Sequence, residues 1–254
     1  MSGFRVFARK ELREIVRTWR IWVLPGILLF FALTGPVLAR LTPQILSAVG
    51  SRQGVVIQLT KPPTYLDAYG QWAKSLSQIG LFALIIIYGG LVSSERRSGT
   101  AVLVLTKPMS RRAFVVAKAL VHSLFLTAIV VLGTALTWVE TAVLFGSAPA
   151  GALWSAALSW LAFALLFLAI MTLLSVSVGS QAGAAGVGIG LYALLAVAGI
   201  WPPLTTLSPA GLVGAPSALA AGRNVAVLWP VLTSLALAAL LVATAAAVFR
   251  RQEL

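Results

Sequence analysis

The sequence predicts an all-α membrane protein with six transmembrane helices. Hydrophobic residues make up 59% of the 254 residues, and the mean hydropathy is +0.98. Soluble domains contain roughly 45–50% apolar residues. The apolar residues also form continuous runs of about 18 or more, a length that a bilayer is needed to bury. Every backbone amide in lipid needs an internal partner, so a spanning segment is either a helix or a strand of a closed barrel. The apolar runs here are continuous rather than alternating, which favours helices. The predicted spans are Ile21–Leu38, Leu76–Ser94, Ala113–Leu136 with an extension to Phe145 left open, Leu153–Val178, Ala184–Ile200 and Val225–Phe249.

The net charge of +13 is distributed asymmetrically between the two sides of this topology. Fourteen lysines and arginines precede the first span, flank the connection between spans two and three, or follow the last span. The other side holds five, namely Arg40, Arg52, Lys61, Lys74 and Arg223. Positive residues mark the cytoplasmic side, so both termini are predicted to be cytoplasmic. The charge is therefore a topological signal, and nucleic acid is not an expected partner. The chain has no cysteine, which excludes disulfides and thiolate chemistry.

Residues 1–20, "MSGFRVFARKELREIVRTWR", form an amphipathic helix that is expected to lie in the headgroup plane against membrane lipid. At 100° per residue the apolar positions fall on one face: Phe4, Ala8, Leu12, Ile15, Val16, Trp19 and Trp22. The charged positions fall opposite: Arg9, Lys10, Arg13, Glu14, Arg17 and Arg20. Glu11 lies at the edge of the apolar face, where lipid provides no hydrogen bond or counter-charge for a carboxylate. A buried partner for Glu11 within the protein would explain this position.

Two features concern the outer half of the molecule. Residues Arg40–Lys74 are expected to be the longest loop. In the third span, Lys118 and Glu140 are 22 residues apart, roughly 33 Å along a helix. If Lys118 reaches the cytoplasmic surface, Glu140 lies near the outer surface and is a candidate polar site of the membrane region.

The connection between spans four and five, "SVSVGSQAGAAGVGIG", contains small-xxx-small pairs, which predict close helix packing.

The segment 201–222, "WPPLTTLSPAGLVGAPSALAAG", contains four prolines and no charge, yet it is apolar. Short broken helices that re-enter the outer leaflet fit this composition better than a solvated loop does.

The segment 95–112, "ERRSGTAVLVLTKPMSRR", follows span two. Gly99 permits a sharp turn, the apolar run allows about two helical turns, Pro108 ends them and Ser110 is an N-cap for span three. These features predict a short helix across the cytoplasmic face.

The chain lacks the groups that most catalytic sites need. It has no glycine-rich lysine loop for nucleotide phosphates, so no ATP hydrolysis of its own is expected. One histidine and no cysteine give neither a metal-ligand cluster nor a nucleophile–base pair. The chain is therefore predicted not to be an enzyme, and no metal site is expected. Ion-coupled transport would need titratable groups inside the membrane, where the sequence has few.

The segment "ERRSGTAVLVLTKPMSRRAFVVAK" resembles the cytoplasmic connection between spans two and three of type-2 ABC exporter permeases, the ABC-2 family. "ARKELREIVRTWR" is similar to the N-terminal interfacial helix of that family. The resemblance covers the whole chain as a single transmembrane domain, 1–254. It implies a bacterial cytoplasmic-membrane permease in which the short cytoplasmic helix is a coupling helix that contacts a separate ATPase subunit. It also implies a second permease copy, in a homodimer or a heterodimer, and ATP with Mg²⁺ bound in the ATPase partner rather than by this chain.

The resemblance assigns roles to three groups of residues. The ATPase-coupling residues are Glu95, Arg96, Arg97, Gly99, Thr100, Pro108, Ser110 and Arg111. Supporting residues on the N-terminal helix are Lys10, Glu11, Arg13 and Glu14. The residues of an external gate are Trp201, Pro202, Pro203, Pro209 and Leu212. Two other functions stay open, an ATP-independent channel or ion-coupled carrier and a non-transporting scaffold or sensor subunit.

Overall fold

The computed structural model describes residues 3–17, 20–52, 62–99 and 110–252. Within these ranges the regular elements are helices and no strand occurs, which confirms the all-α prediction. A single π-helical turn, Leu76–Gly80, joins α3 to α4 without a break in the chain path. The helices are α1 Gly3–Arg17, α2 Arg20–Arg52, α3 Tyr65–Ser75, α4 Leu81–Tyr88, α5 Ser93–Arg97, α6 Arg111–Phe145, α7 Ala150–Ser177, α8 Gln181–Ala198, α9 Pro202–Leu207, α10 Gly211–Ala220 and α11 Leu228–Arg251.

Six helical stretches in the described part of the chain are long and apolar enough to cross a membrane, as predicted. The second combines α3, the π-helical turn, α4 and α5. The six stretches are Trp22–Val49, Tyr65–Arg97, Arg111–Phe145, Ala150–Ser177, Gln181–Ala198 and Leu228–Arg251.

Helix α7 is at the centre of the bundle and contacts α4, α6, α8, α10 and α11. Its buried aromatic residues, among them Trp160, Phe163 and Phe167, form much of the core. Helices α2, α8 and α11 instead leave large apolar side chains exposed on the outside of the bundle, for example Phe30 and Leu194. Such a surface is stable only when lipid or another apolar surface covers it.

Cross-helix contacts define the two ends of the bundle. At one end, the Tyr69 hydroxyl of α3 donates to the Pro149 carbonyl at the start of α7, 3.2 Å away. At the other end, α1 contacts the first turns of α6, and the residue after α11, Gln252, contacts Arg111. We call this second end the terminal end, because α1 and the end of α11 both lie there, and the first the distal end.

The structure corrects the predicted loop at Arg40–Lys74. Helix α2 continues to Arg52, and α3 begins at Tyr65 with a capping box in which the Thr64 N–H donates to Asp67 Oδ2 at 2.7 Å. The prediction failed because hydropathy marks where lipid ends, whereas a helix can continue into water. Residues 53–61 lie outside the described residues.

The glycine-rich connection after span four is also shorter than predicted. Helix α8 already begins at Gln181, where the Ser180 hydroxyl caps it by accepting from the Gly183 N–H at 3.0 Å. Close packing does occur here, but at Gly188, where a Cβ would lie 2.6 Å from the Met171 sulfur of α7. Gly186, a member of a predicted packing pair, has open space beside it.

Candidate functional site

A buried lysine at the terminal end joins three helices. Lys118 of α6 is only 2% exposed. Its Nζ donates to Glu11 Oε2 of α1 at 2.7 Å and to Glu95 Oε1 of α5 at 2.5 Å. Both carboxylates are buried as well, at 1% and 8% exposed. The buried partner of Glu11 is therefore Lys118, and Lys118 does not meet the condition, a position at the cytoplasmic surface, from which Glu140 was placed.

Two more residues of α1 complete this group. Lys10 Nζ lies 3.1 Å from Glu11 Oε1 and 3.9 Å from Glu95 Oε1, and it also pairs with Glu14 one turn along the helix. We call Lys10, Glu11, Glu14, Glu95 and Lys118 the ion cluster. It contains three carboxylates and two ammonium groups. These groups hold α1, the end of span two and the start of span three together.

The cluster shifts the pKa of its two half-exposed members in opposite directions. Burial by itself would lower the pKa of Lys10, but the hydrogen bond to Glu14 and the charges of Glu95 and Glu11 outweigh burial and raise it. Burial would raise the pKa of Glu14, but the hydrogen bond to Lys10 and the charge of Lys118 outweigh it, and the pKa is lowered. Both shifts favour the charged forms, so Lys10 and Glu14 form an ion pair at neutral pH.

The carboxylate oxygens of Glu11, Glu14 and Glu95 lie within 4.8 Å of one another, a spacing that a divalent cation can bridge. Lys118 and Lys10 already contact all three carboxylates and supply their positive counter-charge. These three carboxylates therefore form an ion pair network with the two lysines rather than the ligands of a metal site.

An aromatic stack lies beside the cluster. The Phe114 ring of α6 lies between the rings of Phe7 in α1 and Phe249 in α11. Its centroid is 5.1 Å from that of Phe7 and 5.4 Å from that of Phe249. Lys118 Nζ is 5.4 Å from the centre of the Phe114 ring. Aromatic packing and a cation above a ring each contribute about 1 kcal/mol. The stack therefore adds α11 to the helices that meet at the terminal end.

Burial on α1 includes the edge of the predicted apolar face at Glu11. Phe7, Glu11 and Ile15 are buried, whereas Leu12, a member of that face, is half exposed. This arrangement places the Glu11 carboxylate against Lys118. Leu12 is consequently free to contact lipid or a partner, together with the exposed Arg13.

The structure describes both ends of the segment 95–112 and confirms the two predicted boundaries. Gly99 has φ of +72°, in the left-handed region that favours glycine. The Ser110 hydroxyl accepts from the Ala113 N–H at 3.2 Å and caps α6. Arg97 is exposed. The predicted short helix, with Thr100 and Pro108, lies at 100–109, outside the described residues.

The arginines on either side of this segment contact a residue that the sequence did not indicate. Arg96 Nη1 donates to Gln252 Oε1 at 2.7 Å, and Arg111 Nη1 donates to the Gln252 carbonyl. Gln252 and Lys118 are the two contact residues that sequence reasoning missed. Lys118 gave a signal, a charge within an apolar run, but a glutamine beyond the last span gave none.

The predicted gate residues at the distal end separate into two groups. Trp201, Pro202 and Pro203 are exposed at the start of α9. Leu212 is fully buried in α10, which packs against α7, and Pro209 is partly buried. This segment contains two short helices, α9 and α10, whereas their re-entry into the outer leaflet and a gating role stay predictions.

Glu140 is partly buried on α6, in the half of the helix nearer the distal end. Its Oε2 is buried and has no hydrogen-bond partner among the described residues. The structure does not bring Glu140 together with the ion cluster, and its role stays a prediction.

Comparison with known proteins supports one family. The profile of the "ABC-2 family transporter protein" family matches residues 5–211, most of the chain. The chain is also similar to the uncharacterized transmembrane protein YxlG of Bacillus subtilis (strain 168), with 25% identity over 200 residues, which cover 78% of this chain and 77% of that protein. The matched range includes the ion cluster and both ends of the segment 95–112. This chain therefore belongs to the ABC-2 transporter family and is a membrane permease subunit of an ABC transporter.

Proposed function

We propose that this permease exports its substrate across the bacterial cytoplasmic membrane with ATP that is hydrolysed by separate subunits. Two permeases, either two copies of this chain or this chain and a related one, form the pathway, and each docks one ATPase. ATP and Mg²⁺ bind in the ATPase subunits, and this chain binds no cofactor. The terminal end faces the cytoplasm because it carries the excess of positive residues.

The observation that carries this proposal is the ion cluster. Lys118 contacts Glu11 of α1 and Glu95 of α5, and Glu95 lies four residues before the turn at Gly99. Any force applied to the segment 95–112 therefore reaches α1, span two and span three together. A segment that only set the topology would need its arginines but not a buried ion pair network at its base.

The mechanism follows from this rigid attachment. Closure of the ATPase subunits on ATP moves the segment 95–112, which fits the cleft of the ATPase as a coupling helix. Because Glu95 and Ser110 fix its two ends to spans two and three, the spans tilt with it. The pathway between the two permeases then opens at the distal end, where α9 and α10 are the gate.

The exposed basic residues on α1 and around the segment favour two partners. Arg13 and Arg97 are exposed on the same end of the bundle. They suit the anionic headgroups of the cytoplasmic leaflet and acidic side chains of the ATPase. The two partners occupy different parts of this surface, lipid beside α1 and the ATPase beneath the segment 95–112.

The test is purification of the permease from its native membrane, followed by nucleotide trapping. We expect an ATPase subunit to co-purify, while the permease alone hydrolyses no ATP. The chain has no cysteine, so spin labels at Ser147→Cys and Leu207→Cys report only on the distal end. Trapping of nucleotide should change the distance between them.

Other outcomes select the other functions. Substrate flux without any ATPase subunit would show a channel or an ion-coupled carrier. Co-purification with an ATPase but no flux and no change at the distal end would show a scaffold or sensor subunit.

A further inference from the structure

We infer that Gln252 is a positioning residue that holds the two ends of the segment 95–112 against spans four and six. The inference rests on the proposed function and adds a second route by which motion of the segment enters the bundle. Spans two and three are reached through the ion cluster, and spans four and six are reached through Gln252.

The contacts of Gln252 involve both its side chain and its backbone. Its Oε1 accepts from Arg96 Nη1 at 2.7 Å, and its backbone carbonyl accepts from Arg111 Nη1. Arg96 and Arg111 lie near the two ends of the segment 95–112. One residue at the end of α11 therefore holds both sides of that segment in a fixed relation.

The same residue also caps span four. Gln252 Nε2 donates to the Val176 carbonyl at 3.0 Å, and Arg96 Nη1 donates to the same carbonyl at 3.3 Å. Val176 lies in the last turn of α7, where helix carbonyls have no partner within the helix. Arg96 and Gln252 thus supply hydrogen bonds to a buried carbonyl that has no partner within the helix, and they tie α7 to the segment.

The backbone around Gln252 makes the clamp specific to this position. Gln252 leaves the helical conformation, with φ −82° and ψ 138°, which turns its carbonyl away from α11 and toward Arg111. Three residues earlier, Phe249 is fully buried and stacks on Phe114. The end of α11 is therefore anchored, and a pull on Gln252 is transmitted to span six.

A distance measurement tests the contact itself and needs no ATPase. Spin labels are placed at Arg97→Cys and Arg250→Cys, two exposed positions on the elements that Gln252 joins. We expect a narrow distance distribution with Gln252 present and a clearly broader one in Gln252→Ala. Gln44→Ala, at an exposed glutamine of α2, is the matched control and should leave the distribution unchanged. An equal width in Gln252→Ala and the control would overturn the clamp.

A second measurement tests its role in coupling. In the complex with the ATPase, the Ser147→Cys and Leu207→Cys labels report the fraction of molecules that respond to trapped nucleotide. Hydrogen bonds to a charged group are worth enough to shift such an equilibrium by about tenfold. Gln252→Ala should therefore reduce the responding fraction by about tenfold, with unchanged co-purification of the ATPase and a melting temperature lowered by only about 3–6 °C.

A double-mutant comparison separates positioning from general damage. If Arg96 acts through Gln252, Arg96→Ala and Gln252→Ala together should reduce the response no more than the larger single effect does. Additive losses would contradict the shared contact. A normal response in Gln252→Ala overturns the coupling role of Gln252 alone, whereas no response in the unsubstituted complex overturns the proposed function.

Discussion

Removal of the Lys118 ammonium should destabilise the terminal end more than any other single charge deletion. In Lys118→Met, the carboxylates of Glu11 and Glu95 stay buried and keep only the partly exposed Lys10 ammonium, 3.1 and 3.9 Å away, as their counter-charge. At an effective dielectric constant of about 20, an ion pair at 2.7 Å is worth about 6 kcal/mol before desolvation is subtracted. Deletion of one partner of a buried pair typically costs about 3–5 kcal/mol, because the remaining charge is uncompensated.

The assay is thermal unfolding of the purified permease in detergent. A loss of about 3–5 kcal/mol corresponds to a decrease of about 6–20 °C in the melting temperature of a chain of this size. Lys74→Met, at an exposed lysine near the end of α3, is the matched control and should change it little. The triple variant Glu11→Gln/Lys118→Met/Glu95→Gln should regain much of the loss, because no charge is left buried alone. A melting temperature in Lys118→Met equal to that of the control would refute a buried ion pair network.

Three further predictions use other parts of the structure. The lowered pKa of Glu14 adds stability above about pH 4.5 that is lost as the pH falls through the folded-state pKa. The raised pKa of Lys10 adds stability below about pH 10.5 that is lost as the pH rises through its folded-state pKa. Melting measured across pH should show both losses in the unsubstituted protein, and Lys10→Met should abolish the alkaline loss and reduce the acid loss. Gly99→Ala should cost about 1–2 kcal/mol at φ +72° although the site has open space, which equilibrium unfolding would measure, and an unchanged stability would contradict the left-handed turn. Gly133→Ala should cost about 1–3 kcal/mol because a Cβ would lie 2.8 Å from the buried indole of α3, whereas Gly186→Ala, with open space in α8, should be neutral or stabilising, and equal effects would contradict the packing.

The membrane architecture was predictable because lipid imposes a length on every apolar run. The number of spans follows directly from that length. What could not be predicted is where helices end outside lipid. Helix α2 continues about three turns past Arg40 because nothing in water forces it to stop.

The ion cluster was predictable only in part. The helical periodicity of α1 showed that Glu11 was poorly placed for lipid, which correctly indicated a protein partner. The identity of that partner depends on tertiary packing, since Lys118 is 107 residues away along the chain. A lysine near the end of a span usually extends to water, which is the condition from which Glu140 was placed near the outer surface. Two nearby carboxylates reverse that preference.

Gln252 illustrates a contact that a single sequence does not indicate. A glutamine after two arginines at the end of a span has the composition of an ordinary polar flank. Its contacts become visible only in the fold, where α5, α7 and α11 end and α6 begins at the same place. Gly99 and Ser110 correctly marked the turn after span two and the start of span three within the segment 95–112, because turn and cap preferences are local.

The most direct test of the central claim is site-specific cross-linking from the segment 95–112 to the ATPase. A photoreactive group is attached to Ser98→Cys, an exposed position beside the turn, and in a parallel sample to Ser147→Cys at the distal end. We expect a nucleotide-dependent cross-link between Ser98→Cys and the ATPase subunit, and none from Ser147→Cys. A complex in which the ATPase is present but cross-links to neither position, or equally to both, would contradict the claim that this segment is where the ATPase drives the permease.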